Sequence, residues 1–336
     1  MNEIRQLVEN YYDIQKIRVE TFNRIVMFIK ENEQKIIEAL SHEHFETHSI
    51  NASQGVGEIH LMVASHRQFE TQVGDALKLL KEKKYSEFVK KYIISQETIE
   101  THISRASHEL IETHLNSASQ DMVETQLGDA SHDKPETHLF GALSPFIKQI
   151  ENLIWFHNKL YETEKELYKR LDAWSRNHPL RKQYLNYVKG IGPVLASGII
   201  AWYSEAMLKA NYVSQIWSYS GLAPNQVRKA GERVNYNPRL KTFCWKIGQS
   251  FIKFKCFGRK LYEEFKEQTK QKHPDWTKLH IHNYARRKVV KLFIASVWEV
   301  WRKMNNLPTT RPYPIELLGH KDIITPEMWM ERKKEE

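Results

Sequence analysis

Hydrophobic residues recur at steps of three and four along the first part of the chain. They are Ile4, Leu7, Val8, Tyr11, Ile14 and Val19, then Phe22, Ile25, Val26 and Ile29. That spacing keeps side chains on one face of a helix, so residues 1–40 are predicted as a single helix. A second stripe, Phe146, Ile150, Ile154, Phe156, Leu160, Leu167 and Leu171, predicts a helix over about 145–177, ended by His178-Pro179. Two long amphipathic helices of similar length are natural antiparallel partners, giving a coiled-coil pair from segments 1–40 and 142–179. From residue 180 onward the pattern is also helical, with helices expected at 181–189, 193–209, 238–269 and 282–304. The stretch 219–237 contains Gly, Pro and Asn and reads as irregular. Residues 305–336 carry four prolines and are expected to wrap the surface, with 321–336 as a tail. The predicted fold class is mainly α.

Between the two long helices the pattern changes to a repeat. Residues 41–75 and 95–141 hold seven copies of a twelve-residue unit, Ala-Ser-His/Gln, three variable residues, Glu-Thr-His/Gln, three variable residues. The copies are split by a Lys-rich amphipathic segment, 77–94, expected to be a helix. A six-residue half-unit advances a helix by about 600°, so one helical face cannot stay buried over many copies. In a strand the same step returns each side chain to one face. The insertion at 41–141 is therefore expected to be extended, solenoid-like or disordered, its thin apolar content favouring the last. Ten of the sixteen His lie in it. His108, Gln120 and His132 occupy one repeat position, and Gln is a poor metal ligand, so no metal site is expected there.

Charge sharpens this division. Residues 180–336 carry 29 Lys+Arg against 13 Asp+Glu, a net of +16, whereas 41–141 carry 9 against 16, a net of −7. Such asymmetry points to an anionic polymer as partner of the C-terminal half. Cys244 and Cys256 are too few for a disulfide framework and read as buried small hydrophobes. No run of eighteen apolar residues suggests a membrane span, and the start is charged rather than signal-like. A cytoplasmic, nucleoid-associated location is the expectation.

The sharpest local motif is Leu185-x-x-Val188-Lys189-Gly190-Ile191-Gly192-Pro193-x-x-Ala196-x-x-Ile199, a helix-hairpin-helix pattern. Gly190 and Gly192 are expected to adopt backbone angles that other residues resist and to let a phosphate reach backbone N–H groups. The following helix would aim its positive end at that phosphate, with Pro193 suited to its first turn and Lys189 adding charge. Such a site grips backbone and reads little sequence. Next come Ser220-Gly221-Leu222-Ala223-Pro224 and a basic loop over 225–237 with Arg228, Lys229 and Arg233, followed by Arg239 and Lys241. Phe243 and Trp245 are read mainly as core aromatics, and Tyr236 as freer to stack on a base. Arg286, Arg287, Lys288 and Lys291 crowd the first turns of the helix expected at 282–304. Cations there oppose the helix dipole, so an anion should offset them, either nucleic acid or a carboxylate of the fold itself.

Val188-Lys-Gly-Ile-Gly-Pro193, Ser220-Gly-Leu-Ala-Pro224, the basic loop and the helix opening Arg239-Leu240 together resemble the C-terminal domain of one transposase family. These are the insertion-sequence transposases with a RuvC-like DEDD domain followed by a helix-hairpin-helix domain. The resemblance covers about 143–320 and the first 40 residues, and leaves the repeats outside. It implies a DNA-binding domain over 180–320, with structured RNA as another ligand, and a homodimer through 1–40 and 145–177. Two departures bear on catalysis. No strand-rich segment with acidic residues precedes the helices, so Mg²⁺ would enter only with a RuvC-like partner chain. The family's serine position reads Lys229-Ala230-Gly231, and an Ala methyl cannot attack a phosphodiester. Ser218 and Ser220 lie on the other side of the Gly221–Pro224 motif, so no catalytic residue is assigned. Three readings stand: a transposase-like binding protein without its own catalysis, an active transposase completed in trans, and a scaffold whose repeats are the working surface.

Overall fold

The structure, a computed structural model, describes residues 1–50, 71–94, 135–224, 231, 233–310 and 324–331. It is mainly α, and among the described residues the only β pairing is one isolated antiparallel bridge, Val188 to Met330. The chain divides into two compact units. One contains 13–164; the other is built from 1–12 and 165–336.

The predicted first helix is two: α1 (Asn2–Glu31) and α2 (Glu33–Ile50), separated at Asn32, whose side-chain amide donates to the Phe28 carbonyl. Residues 71–81 form α3. The segment predicted as one helix over 77–94 breaks after α3, where Lys83 takes a positive φ of 56°, and resumes as α4 (Tyr85–Phe88) and a π-helical turn (Val89–Ile94). The second long helix, α5 (Pro135–Arg176), starts earlier than predicted. Repeat residues 41–50, 71–75 and 135–141 are helical, because each continues into an amphipathic helix; repeat residues 51–70 and 95–134 lie outside the described residues.

In the 13–164 unit, α1 and α5 run antiparallel. Arg18 Nε is 2.6 Å from Glu164 Oε2, and the Phe22 ring lies 6.0 Å from His157. Ile25, Ile29, Ile36, Leu80, Phe88, Tyr92, Ile150 and Ile154 form its core.

The other unit is centred on α7 (Pro193–Lys209), which follows a short α6 (Pro179–Gln183) and a 3-10 turn (Leu185–Tyr187). The predicted helix 181–189 thus tightens and ends before the hairpin. α7 is apolar on almost every side and is buried accordingly. Around it lie α8 (Val213–Tyr219), α9 (Pro238–Lys253), α10 (Phe257–Lys272) and α11 (Lys278–Met304). The single helix predicted over 238–269 is split between α9 and α10, where Lys255 takes a φ of 47°. The tail does more than wrap the surface. A 3-10 turn (Pro326–Trp329) drives Trp329 among Phe251, Phe257 and Phe293, where it is fully buried.

Candidate nucleic-acid interface

The hairpin forms as a tight turn. The Ile191 N–H donates to the Val188 carbonyl at 3.2 Å, and the Ala196 N–H to that of Gly192 at 2.9 Å, opening α7 with Pro193 in its first turn. Its two glycines differ. Gly190 has a φ of +95° and backs onto Phe251, whose ring carbon would lie 3.2 Å from an added Cβ. Its carbonyl accepts a hydrogen bond from Ser250 Oγ. Gly192, expected to need a special conformation, is extended (φ −94°, ψ −179°), and nothing lies within 4 Å of where its Cβ would be. Lys189 is exposed, whereas Ile191 is buried in the core.

A second feature lies between α9 and the start of α11. Here a cleft of about 250 Å³ is lined by Lys241, Trp245, His280, Asn283, Tyr284, Arg286 and Arg287, with Gly221, Leu222, Cys244 and Val290 completing the wall. α9 buries Leu240, Phe243, Cys244, Ile247 and Phe251 at helical steps. Trp245 falls outside that phase and stands 49% exposed, so its predicted core role is corrected, while Phe243 is in the core. Cys244 and Cys256 are both buried free thiols. Asn237 caps α9 by accepting from the Arg239 and Leu240 N–H groups, which sets Lys241 on the first turn; its ammonium lies 4.5 Å from the Tyr236 ring centre. Thr277 caps α11 in the same way through the His280 N–H, and so fixes where Arg286 and Arg287 project.

Arg286 is 8% exposed. Its guanidinium carbon lies 5.0 Å from the centre of the Trp245 ring, and Nη2 donates to Asn283 Oδ1 at 2.7 Å. The side chain passes over Gly248, where an added Cβ would meet Arg286 Cγ at 2.5 Å. Among the described residues no carboxylate pairs with Arg286, Arg287, Lys288 or Lys291. Lys288 lies 4.1 Å from the Phe265 ring centre and Lys291 4.2 Å from that of Trp217. Burial lowers the pKa of Arg286 and Lys288, and of Lys291, where Arg287 and Lys288 add repulsion. Nearby, His273 and His280 stack on the two sides of Trp276, each 4.1 Å from it between ring centres.

The cleft therefore gathers Lys241, Arg286 and Arg287 of the predicted site. Lys288 and Lys291 share α11 with it but do not line it, and Lys189–Gly192 form a separate feature. Arg239 is held by Glu9, at 2.7 Å, and Arg233 is exposed. Arg228, Lys229 and Ala230 lie outside the described residues. Ser220 is fully buried, hydrogen-bonded to the Ile216 carbonyl and to Tyr203, so it has no approach to a substrate. Sequence reasoning had not singled out Asn283 and Tyr284 as cleft residues; their position one turn or less before Arg286 and Arg287 was the available signal.

Among the described residues no His, Cys, Asp or Glu cluster could hold a metal ion, and no helix is long and apolar enough to cross a membrane. Comparison with family models, with curated proteins and with solved structures found no match.

Proposed function

We propose that this chain binds nucleic acid by its phosphates, using the face formed by α9 and the first half of α11, with the Lys189–Gly192 hairpin as a second contact. The observation that carries this reading is the absence of any carboxylate partner, among the described residues, for the four cations of α11. α11 begins at Lys278, earlier than the sequence predicted, so Arg286 to Lys291 stand on its third and fourth turns, past the reach of the helix's positive end. What remains is their mutual repulsion, which the described acidic residues leave unanswered. A phosphate backbone supplies the missing anion. The open space at Gly192 and the exposed Lys189 support a phosphate at the hairpin.

Joined to the sequence resemblance carried by Val188–Pro193 and Ser220–Pro224, this reading extends to an insertion-sequence transposase-like DNA-binding protein, acting without a nucleophile of its own and resident with DNA. The proposal includes a homodimer, with Trp155, Phe156 and Tyr161 as exposed contact residues on α5; sedimentation of the full chain checks it.

The test is binding of the full chain to duplex DNA and to structured RNA across a salt series. Four phosphate contacts give a log–log slope of about −3.6, a loss of roughly 100-fold between 50 and 200 mM salt. Arg287→Glu with Lys291→Glu flattens that slope, and Lys189→Glu flattens it less. Binding that is absent, or indifferent to salt and to these changes, sinks the reading.

A further inference from the structure

We infer that the cleft between α9 and α11 takes a single unpaired nucleotide of a bound strand, its base against Trp245 and its phosphate on Arg286, Arg287 and Lys241. This rests on the proposed nucleic-acid reading and adds what the cleft selects. At about 250 Å³ the space is smaller than the roughly 300–1,000 Å³ pockets that bury drug-sized molecules. One planar group fits such a space; a duplex, whose major groove alone is about 12 Å wide, does not.

The lining has two chemistries side by side. Trp245, half exposed, and Tyr284 offer aromatic surface, and Arg286 lies against the Trp245 ring. A guanidinium over an indole strengthens stacking through its charge. The polar groups are chiefly donors. Lys241, Arg286 and Arg287 have no acceptor, and the Asn283 carbonyl oxygen is already taken by Arg286, which leaves its amide N–H groups for a ligand. Among the described residues no carboxylate lines the cleft. A ligand complementary to this wall carries an aromatic face and anionic or keto oxygens together, as a nucleotide does. A bare anion would leave Trp245 unused, and a neutral aromatic would leave Arg286 buried without a counter-charge. Paired bases keep their faces inside the stack, so only an unpaired or everted nucleotide can present one.

The experiment compares three labelled hairpins for binding to the full chain: one fully paired, one with a single unpaired thymidine, and one with an abasic residue in its place. The unpaired thymidine is expected to tighten binding over the abasic form by roughly 5- to 150-fold, the range for one stacked base. Trp245→Ala should erase that gain, so that the thymidine and abasic hairpins bind alike whatever its effect on the paired one, and Trp245→Phe should keep most of it. Equal affinity for all three hairpins, or a gain that Trp245→Ala leaves intact, overturns the inference while nucleic-acid binding stands. Free thymidine monophosphate binding as tightly as the strand also overturns it, since the cleft would then serve free nucleotides. Failure of every hairpin to bind in a salt-dependent way defeats the underlying reading instead.

Discussion

Arg181, Arg286 and Arg302 are 7%, 8% and 2% exposed, yet they are satisfied in different ways. Arg181 holds the Asp172 carboxylate, the Ser175 hydroxyl and the Asn186 side chain. Arg302 sits near the end of α11 and donates to the carbonyls of Pro308, Met207, Leu208 and Ala210, closing the C-terminus of α7. Both are complete within the chain. Arg286, four turns earlier on the same helix as Arg302, has a ring, an amide oxygen and a distant His282 nitrogen, and among the described residues no carboxylate. Burial alone therefore does not mark an arginine as structural. What separates the two ends of α11 is whether the fold itself supplies the opposing charge or dipole.

The sharpest way to break this comparison is to truncate both arginines. Arg302→Ala strands several buried carbonyls and is expected to cost about 3 kcal/mol of stability in urea unfolding. Arg286→Ala removes a buried charge that no described acidic residue offsets and is expected to cost less than about 1 kcal/mol. Equal losses would make Arg286 a structural residue and end the distinction.

The hairpin glycines give the next largest effect. Gly190→Ala, forced into the left-handed region against Phe251, is expected to lose about 1–2 kcal/mol. Gly192→Ala, extended and open, should stay within about 0.5 kcal/mol in the same thermal-unfolding series. Gly248→Ala tests the path of Arg286 without touching its charge. Displacing the side chain should weaken nucleic-acid binding about tenfold, roughly 1.4 kcal/mol, with helix content unchanged by circular dichroism.

The smallest effect is a pH dependence. Burial lowers the folded-state pKa of Lys288 and Lys291 below the ordinary 10.5. Between the lowered values and 10.5 the unfolded chain binds more protons, so stability from these groups rises with pH through that window. Lys288→Met with Lys291→Met should flatten the alkaline side of the urea-midpoint profile, and bound nucleic acid should flatten it too.

Much of the helical layout is legible in apolar spacing, and the exceptions have specific causes. Phe156 joins the apolar stripe by composition but is 40% exposed, one position out of phase; His157 and Glu164 hold the buried face instead. A search for hydrophobic residues passes over both, because their burial depends on partners far away in sequence, Phe22 for one and Gln15 and Arg18 for the other. The break between α9 and α10 has no Gly or Pro to announce it; Lys255 supplies the positive φ. The cations of the site are plain in the sequence. That Trp245 flanks them is readable only once the buried phase of α9 is known, and that Gly248 makes room for Arg286 depends on two helices meeting.

The unit centred on α7 draws on both ends of the chain: Ile4 and Val8 share a core with Leu171, Leu180 and Trp329. During synthesis at about 5–20 residues per second, roughly 10–30 s separate the appearance of Val8 from that of Leu171. The intervening 13–164 segment is contiguous and can fold as it emerges. The first turns of α1 cannot complete their native packing until Leu171, Leu180 and the helices that follow have been made.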